Sequence, residues 1–205
     1  MSPWRPFPNE YDAGLEIATV IPPYMATMES ETANEALFEA IKAGDADKIR
    51  SLLDDGADPN ASNKDRERPL HAALNAAKSR QLSRRLPTTR LDEIQMAITH
   101  DAGSVREACL EMLRVLLSRG ADRNVPDENG NTPLHAAAEQ GFPDAVRLLL
   151  KEGAARELRN ADAKTARDLA VAAKRDLPIA VEDESERTRL ESDYEEILRE
   201  LTRRD

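Results

Sequence analysis

Apolar residues recur along this chain in short bursts at helical spacing, several of them closed by a glycine. Val146, Leu149 and Leu150 fall on one side of a short helix that Gly153 stops. Leu190, Tyr194, Ile197, Leu198 and Leu201 mark a longer amphipathic helix near the C-terminus, with Glu191, Glu195, Glu196 and Glu200 on its polar side. Leu91, Ile94 and Ile98 mark another, which Pro87 precedes and Thr88 or Thr89 caps. The pattern predicts an all-helical chain.

The bursts repeat. LLDDGADPN (52–60), LLSRGADRN (116–124) and LLLKEGAARE (148–157) align on Gly56, Gly120 and Gly153 with offsets of 64 and 33. RPLHAA (68–73), TPLHAA (132–137) and TARDLA (165–170) align with the same two offsets. The period is therefore 33 residues, with 31 extra residues inside one unit. Leu37, Gly44 and Leu52 lie 97 residues before Leu134, Gly141 and Leu149, so a further unit stands in register upstream.

Each unit has a physical reading of its own. Thr132 caps a helix whose first residue is Pro133, where a missing N–H costs nothing. Ala136, Ala137 and Ala138 let neighbouring helices approach closely, and Gly141 ends this first helix in a left-handed conformation. A second helix follows from Phe142 to Lys151, and the polar run after Gly153 makes a projecting turn. Such a helix pair cannot bury its apolar stripe alone; stacking of units supplies the core.

A 33-residue period carrying DENGNTPLHAAAEQGFPDAVRLLLKEGA (127–154) closely resembles the ankyrin repeat. The resemblance implies an all-α solenoid of stacked helix-turn-helix units with short projecting turns. Four units are expected over 32–205: 32–62, 63–126 with an insertion at 78–107, 127–159, and 160–205 including a C-terminal capping helix. Residues 1–31 form an N-terminal extension. The first unit reads as a cap, with Glu35 and Phe38 where Thr and His would stand, and the fourth has Ala166, Arg167 and Asp168 in place of Pro-Leu-His. His71 and His135, fourth in RPLH and TPLH, are implied to be buried imidazoles bonding backbone groups between units.

Composition narrows the function. The net charge is −10, with 33 % charged residues, which disfavours a general binder of phosphate or anionic membranes. One cysteine, Cys109, and three scattered histidines permit no disulfide and no thiolate-rich metal site, so no cofactor is expected. No stretch approaches the roughly 20 apolar residues of a membrane span. The opening residues lack an apolar signal core, and the chain is read as cytoplasmic or nuclear. No catalytic constellation emerges: His100 and Cys109 lie near each other in sequence, but nothing completes a triad. Cys109 aligns with Phe142 and reads as a small buried hydrophobe.

What remains is a shaped surface. In ankyrin proteins the concave side, built from turn tips and first helices, commonly binds another protein. Carried by register, its positions here are Glu128, Asn129, Asn131, Glu139 and Gln140 in the third unit; Lys64, Asp65, Glu67 and Asn75 in the second; and Asp162 and Lys164 in the fourth. Several are acidic, which favours a partner with a basic surface. Two further candidates lie off the repeat: Trp4, Phe7 and Tyr11 in the extension, and the insertion arginines Arg80, Arg84 and Arg85. The insertion reads either as a tolerated surface elaboration or as a binding loop whose basic residues meet an acidic surface, a phosphate or the chain's own acidic end. The expected function is non-enzymatic binding of one protein, as an adaptor, an inhibitor or a dedicated chaperone of a basic client, by a chain monomeric on its own. The alternative is a nucleic-acid-associated protein contacting phosphate through the Arg-rich insertion, a reading weakened by the net charge and by the lack of interleaved aromatics.

Overall fold

The computed structural model describes residues 23–83, 102–180 and 184–203, with side chains over 31–79, 105–177 and 184–203. The helix expected around 91–100, His100, Trp4, Phe7, Tyr11, Arg84, Arg85 and the side chain of Arg80 lie outside the described residues. Within them the chain forms eight helices and no strand: α1 (Pro23–Ala43), α2 (Ala46–Asp54), α3 (Pro69–Ser83), α4 (Ala102–Ser118), α5 (Pro133–Glu139), α6 (Pro143–Lys151), α7 (Ala166–Ala180) and α8 (Glu184–Thr202).

The helices pair in chain order and stack in two layers. One layer is α1, α3, α5 and α7, each packed on the next; the other is α2, α4, α6 and α8. Between the layers Leu37, Ile41, Ile49, Leu70, Leu74, Leu113, Leu116, Leu134 and Leu149 are completely buried. Each such side chain contributes about 1.5–3 kcal/mol by leaving water. Ala73, Ala137, Ala138 and Ala170 are buried with them, and their small size lets the first-layer helices approach.

Helix lengths depart from the repeat. α5 has 7 residues, whereas α3 and α7 have 15 each. α1 starts at Pro23, inside the segment read as an extension, because no Gly or Pro interrupts the run from Tyr24 to Ala43. The lengthened elements of the second and fourth units meet across the third. Arg106, from the inserted stretch, pairs with Asp193 of α8 at 2.7 Å and lies 5.7 Å from the Phe142 ring centroid. Tyr194 donates its hydroxyl to the Glu139 carbonyl at 2.7 Å while its ring covers Gly141. Burial pushes that phenol's pKa up to about 12, with the carboxylates of Glu139 and Asp193 adding to the rise.

The histidines join neighbouring units. His135 Nδ1 accepts from the Thr132 amide at 3.2 Å and sits 2.8 Å from the Thr132 hydroxyl, so its Nε2 carries the proton and donates to the Lys164 carbonyl at 3.1 Å. His71 likewise places Nε2 2.9 Å from the Asn131 carbonyl. Asp168 occupies this place in the fourth unit and instead accepts from the Thr165 amide at 3.0 Å and hydroxyl at 2.8 Å, bonds that hold its carboxyl below the usual range. An exposed cap thus replaces a histidine at the last described unit. Cys109 is buried, with Sγ donating to the Ala73 carbonyl at 3.6 Å.

The second unit has Arg68 where the third has Thr132, and the consequence is chemical. No hydroxyl faces His71 Nδ1, which is buried without a protein partner. An unpaired buried acceptor costs about 1–3 kcal/mol. Arg68→Thr should therefore raise stability by about 1 kcal/mol after losing the 2.6 Å bond from Arg68 to the Asn60 carbonyl, read as a higher urea midpoint. A midpoint at or below that of the parent would contradict the assignment. Burial, opposed by the Asn131 bond, lowers the His71 pKa from 6.5. Below that pH the unfolded chain binds the proton more readily than the folded one, so stability should fall as pH drops from about 6.5 toward the folded-state value.

Candidate functional site

Three projecting turns share one construction. Asn63 Oδ1 accepts from the amides of Asp65 and Glu67, at 2.9 and 2.8 Å. Asp127 Oδ1 accepts from Asn129 and Asn131, both at 2.8 Å, and Asn160 Oδ1 from Asp162 and Lys164, both at 3.0 Å. A short polar side chain thus closes each tip against its own backbone. Each turn also contains one residue with positive φ: Arg66 at 56°, Gly130 at 74° and Ala163 at 60°.

Two depressions lie along the side formed by these tips and the first-layer helices. The larger, about 560 Å³, runs between α1 and the second unit's turn, with Glu31, Glu35, Glu39, Lys42, Lys64 and Asp65 among its walls. The smaller, about 310 Å³, lies between the turns of the second and third units, with Asp65, Arg66, Glu67, Asn75, Asp127, Glu128 and Asn129 in its walls. Together they present seven carboxylates and three cations. Every cation is already matched from within: Lys42 with Glu39 at 3.0 Å, Lys64 with Glu35 at 2.8 Å, and Arg66 with Glu128 at 3.7 Å. The hydrogen bond and charge of that partner lower the Glu35 pKa and raise that of Lys64. These are exposed pairs, so the surplus of negative charge faces solvent.

Three amides and one carboxylate form a hydrogen-bonded chain along the groove. Gln140 Nε2 donates to Asn75 Oδ1 at 3.0 Å, and Asn75 Nδ2 donates to Glu67 Oε1 at 2.7 Å. Glu67 Oε2 accepts from Asn63 Nδ2 at 3.4 Å. Gln140 Oε1 is buried without a protein partner.

Of the residues the sequence nominated, Lys64, Asp65, Glu67, Asn75, Glu128 and Asn129 come together around the depressions, and Gln140 joins them through Asn75. Glu139 is exposed on α5, outside the lining. Asp162 and Lys164 stand apart in the last turn, 3.6 Å from each other. Asn131 plays a structural part instead, since its carbonyl serves His71 and its Oδ1 accepts from Asn160 Nδ2 at 2.8 Å, which ties one turn to the next. The register did not nominate Glu31, Glu35, Glu39, Lys42, Arg66 and Asp127, which also line the depressions. Lys42 stands 97 residues before Glu139, so extending the register to the first unit would have found that wall.

Among the described residues no group of three or more His, Cys, Asp or Glu side chains could hold a metal ion. No helix there is long and apolar enough to cross a membrane.

Comparison with known proteins agrees with the geometry. A family model described as ankyrin repeats, three copies, matches residues 100–180. The human neurogenic locus notch homolog protein 2 is 31 % identical over 156 residues, covering 73 % of this chain and 6 % of that protein. The human protein phosphatase 1 regulatory subunit 27 is 36 % identical over 86 residues, 39 % of this chain and 56 % of that one. The human protein fem-1 homolog C is 43 % identical over 60 residues, 29 % of this chain and 10 % of that one. The chain thus spans about half the length of the phosphatase subunit and a small fraction of the other two. The stacked helix pairs, bonded turns and inter-unit histidines agree with that match, and the chain carries ankyrin repeats over residues 100–180.

Proposed function

We propose that this chain is a non-catalytic protein-binding module whose concave groove receives a basic segment of one partner protein. The observation that carries the reading is the charge of the groove, with seven carboxylates against three internally paired cations. An incoming Lys or Arg gains from this field, and complementarity of this kind governs encounter rate and partner choice more than raw affinity. Asn75 and Glu67 add hydrogen-bonding groups that can meet a peptide backbone. A relative named as a regulatory subunit of a phosphatase supports action through a bound protein rather than through chemistry of its own. The chain acts stoichiometrically, as an adaptor, an inhibitor or a chaperone of a basic client, and as a single copy.

Affinity purification from the native cell at two salt concentrations, followed by mass spectrometry, tests this. The expected result is one stoichiometric protein whose bound segment is rich in Lys or Arg, retained at low salt and reduced at high salt. Co-purified RNA or DNA that survives moderate salt, with no such protein, would replace this reading with contact through the insertion.

A further inference from the structure

The three turns share a fold, yet they do not pack alike, and the difference sits at their left-handed residue. In the third turn that residue is Gly130, and a Cβ built there would lie 2.9 Å from the Ala161 amide nitrogen and 3.3 Å from the Asn160 carbonyl carbon. The third and fourth turns are closed on each other, joined by a backbone bond from the Ala161 N–H to the Asn129 carbonyl at 3.0 Å. In register, the same bond between the second and third turns would run from the Glu128 N–H to the Asp65 carbonyl. Among the described residues no backbone bond joins those two turns. The left-handed position of the second turn is Arg66, which carries a Cβ where the third turn has none, and the 310 Å³ depression occupies the space between. The last turn also has a side chain at this place, Ala163, with no later described turn closed over it.

We propose that Arg66 is a wedge: its Cβ at the left-handed position holds the second and third turns apart and thereby opens the part of the groove that admits a basic side chain. Arg66 is a positioning residue, and its guanidinium is secondary to its backbone conformation. A non-glycine residue at positive φ is strained, and Gly at this place would relieve the strain and remove the steric block at once. The opened space is walled by Asp65, Glu67, Asp127 and Glu128, so the chemical class it takes is the guanidinium or ammonium group of an extended protein segment. The wedge stands on the geometry of the turns alone; its role in binding rests on the function proposed above.

Two variants of the full chain separate backbone from charge. Arg66→Gly removes both wedge and cation, whereas Arg66→Ala removes the cation and keeps the Cβ. Amide hydrogen exchange measured by NMR reads the turns directly: the Glu128 N–H should exchange at least about 10-fold more slowly in Arg66→Gly than in the parent, as a new backbone bond forms, and should be little changed in Arg66→Ala. Equal Glu128 exchange in the two variants overturns the wedge. A fluorescent peptide of alternating Arg and Gly, titrated at low salt, reads the consequence. Arg66→Ala should bind it at least as tightly as the parent, and Arg66→Gly about 10-fold more weakly. Slowed Glu128 exchange with equal peptide affinity in both variants overturns the binding role of Arg66. A parent chain that does not bind the peptide contradicts the proposed function, while the exchange result still decides whether Arg66 is a wedge.

Discussion

Gly130→Ala lowers stability by about 2 kcal/mol, through left-handed strain of about 1 kcal/mol and loss of an inter-turn hydrogen bond worth a similar amount. The new Cβ would stand 2.9 Å from a backbone nitrogen, and backbone cannot swing aside as a side chain does. Relief requires the third and fourth turns to part, which breaks the bond from Ala161 to Asn129. Gly153→Ala is the internal control. Its φ is also positive, at 87°, but the nearest atom to an added Cβ is Arg123 Nε at 3.9 Å. Only the conformational strain remains there, so Gly153→Ala should cost about 1 kcal/mol. Urea denaturation of both variants checks the difference, and equal losses would show that the turns are not in contact as described.

His135→Ala has the larger expected effect, a loss of about 3 kcal/mol, because it combines a cavity with orphaned polar groups. The imidazole is 1 % exposed and holds three groups at once: the Thr132 amide, the Thr132 hydroxyl and the Lys164 carbonyl. Removing it leaves the Thr132 amide at the start of α5 without its acceptor and takes away one of the bonds that tie the fourth unit's turn to the third. Thermal unfolding should shift down markedly, while the folded variant binds its partner with unchanged affinity because His135 lies inside the stack. Parent-like stability with lost binding would move His135 from the core to the interface.

The period was legible because its carriers are chemically obligatory. Thr-Pro-Leu-His needs a cap, an N1 proline, a core leucine and an inter-unit donor, and Gly56, Gly120 and Gly153 need positive φ. The same logic made the amphipathic C-terminal helix visible, and Tyr194, Ile197 and Leu201 are buried in it. Asp168 was visible as a departure, and its meaning as an exposed cap follows from its bonds to the Thr165 amide and hydroxyl. Other features were hidden for physical reasons. Arg66 and Ala163 occupy positive φ without the glycine that signals it, because the turn's own Asx bonds hold them there. The contact of Arg106 with Asp193 joins residues of non-equivalent units, so no periodicity announces it. Asn131 looked like a surface position by register, yet its amide faces the next turn. The upstream reach of α1 was hidden by the proline and aromatic residues that precede it.

The measurement that tests the account most directly is partner affinity in a panel of three variants of this chain. One carries Glu128→Lys and Glu139→Lys on the concave side, both exposed and outside the core. One neutralises Arg80, Arg84 and Arg85, and one lacks residues 1–22, a deletion that leaves α1 whole. Surface substitutions such as the double reversal change stability by less than about 0.5 kcal/mol, so its circular dichroism and melting should match the parent. If the groove takes a basic segment, the double reversal weakens binding at least about 10-fold while the other two variants bind as the parent does. Parent-like binding by the double reversal, with binding lost on neutralising the insertion or removing the N-terminal residues, would contradict the account.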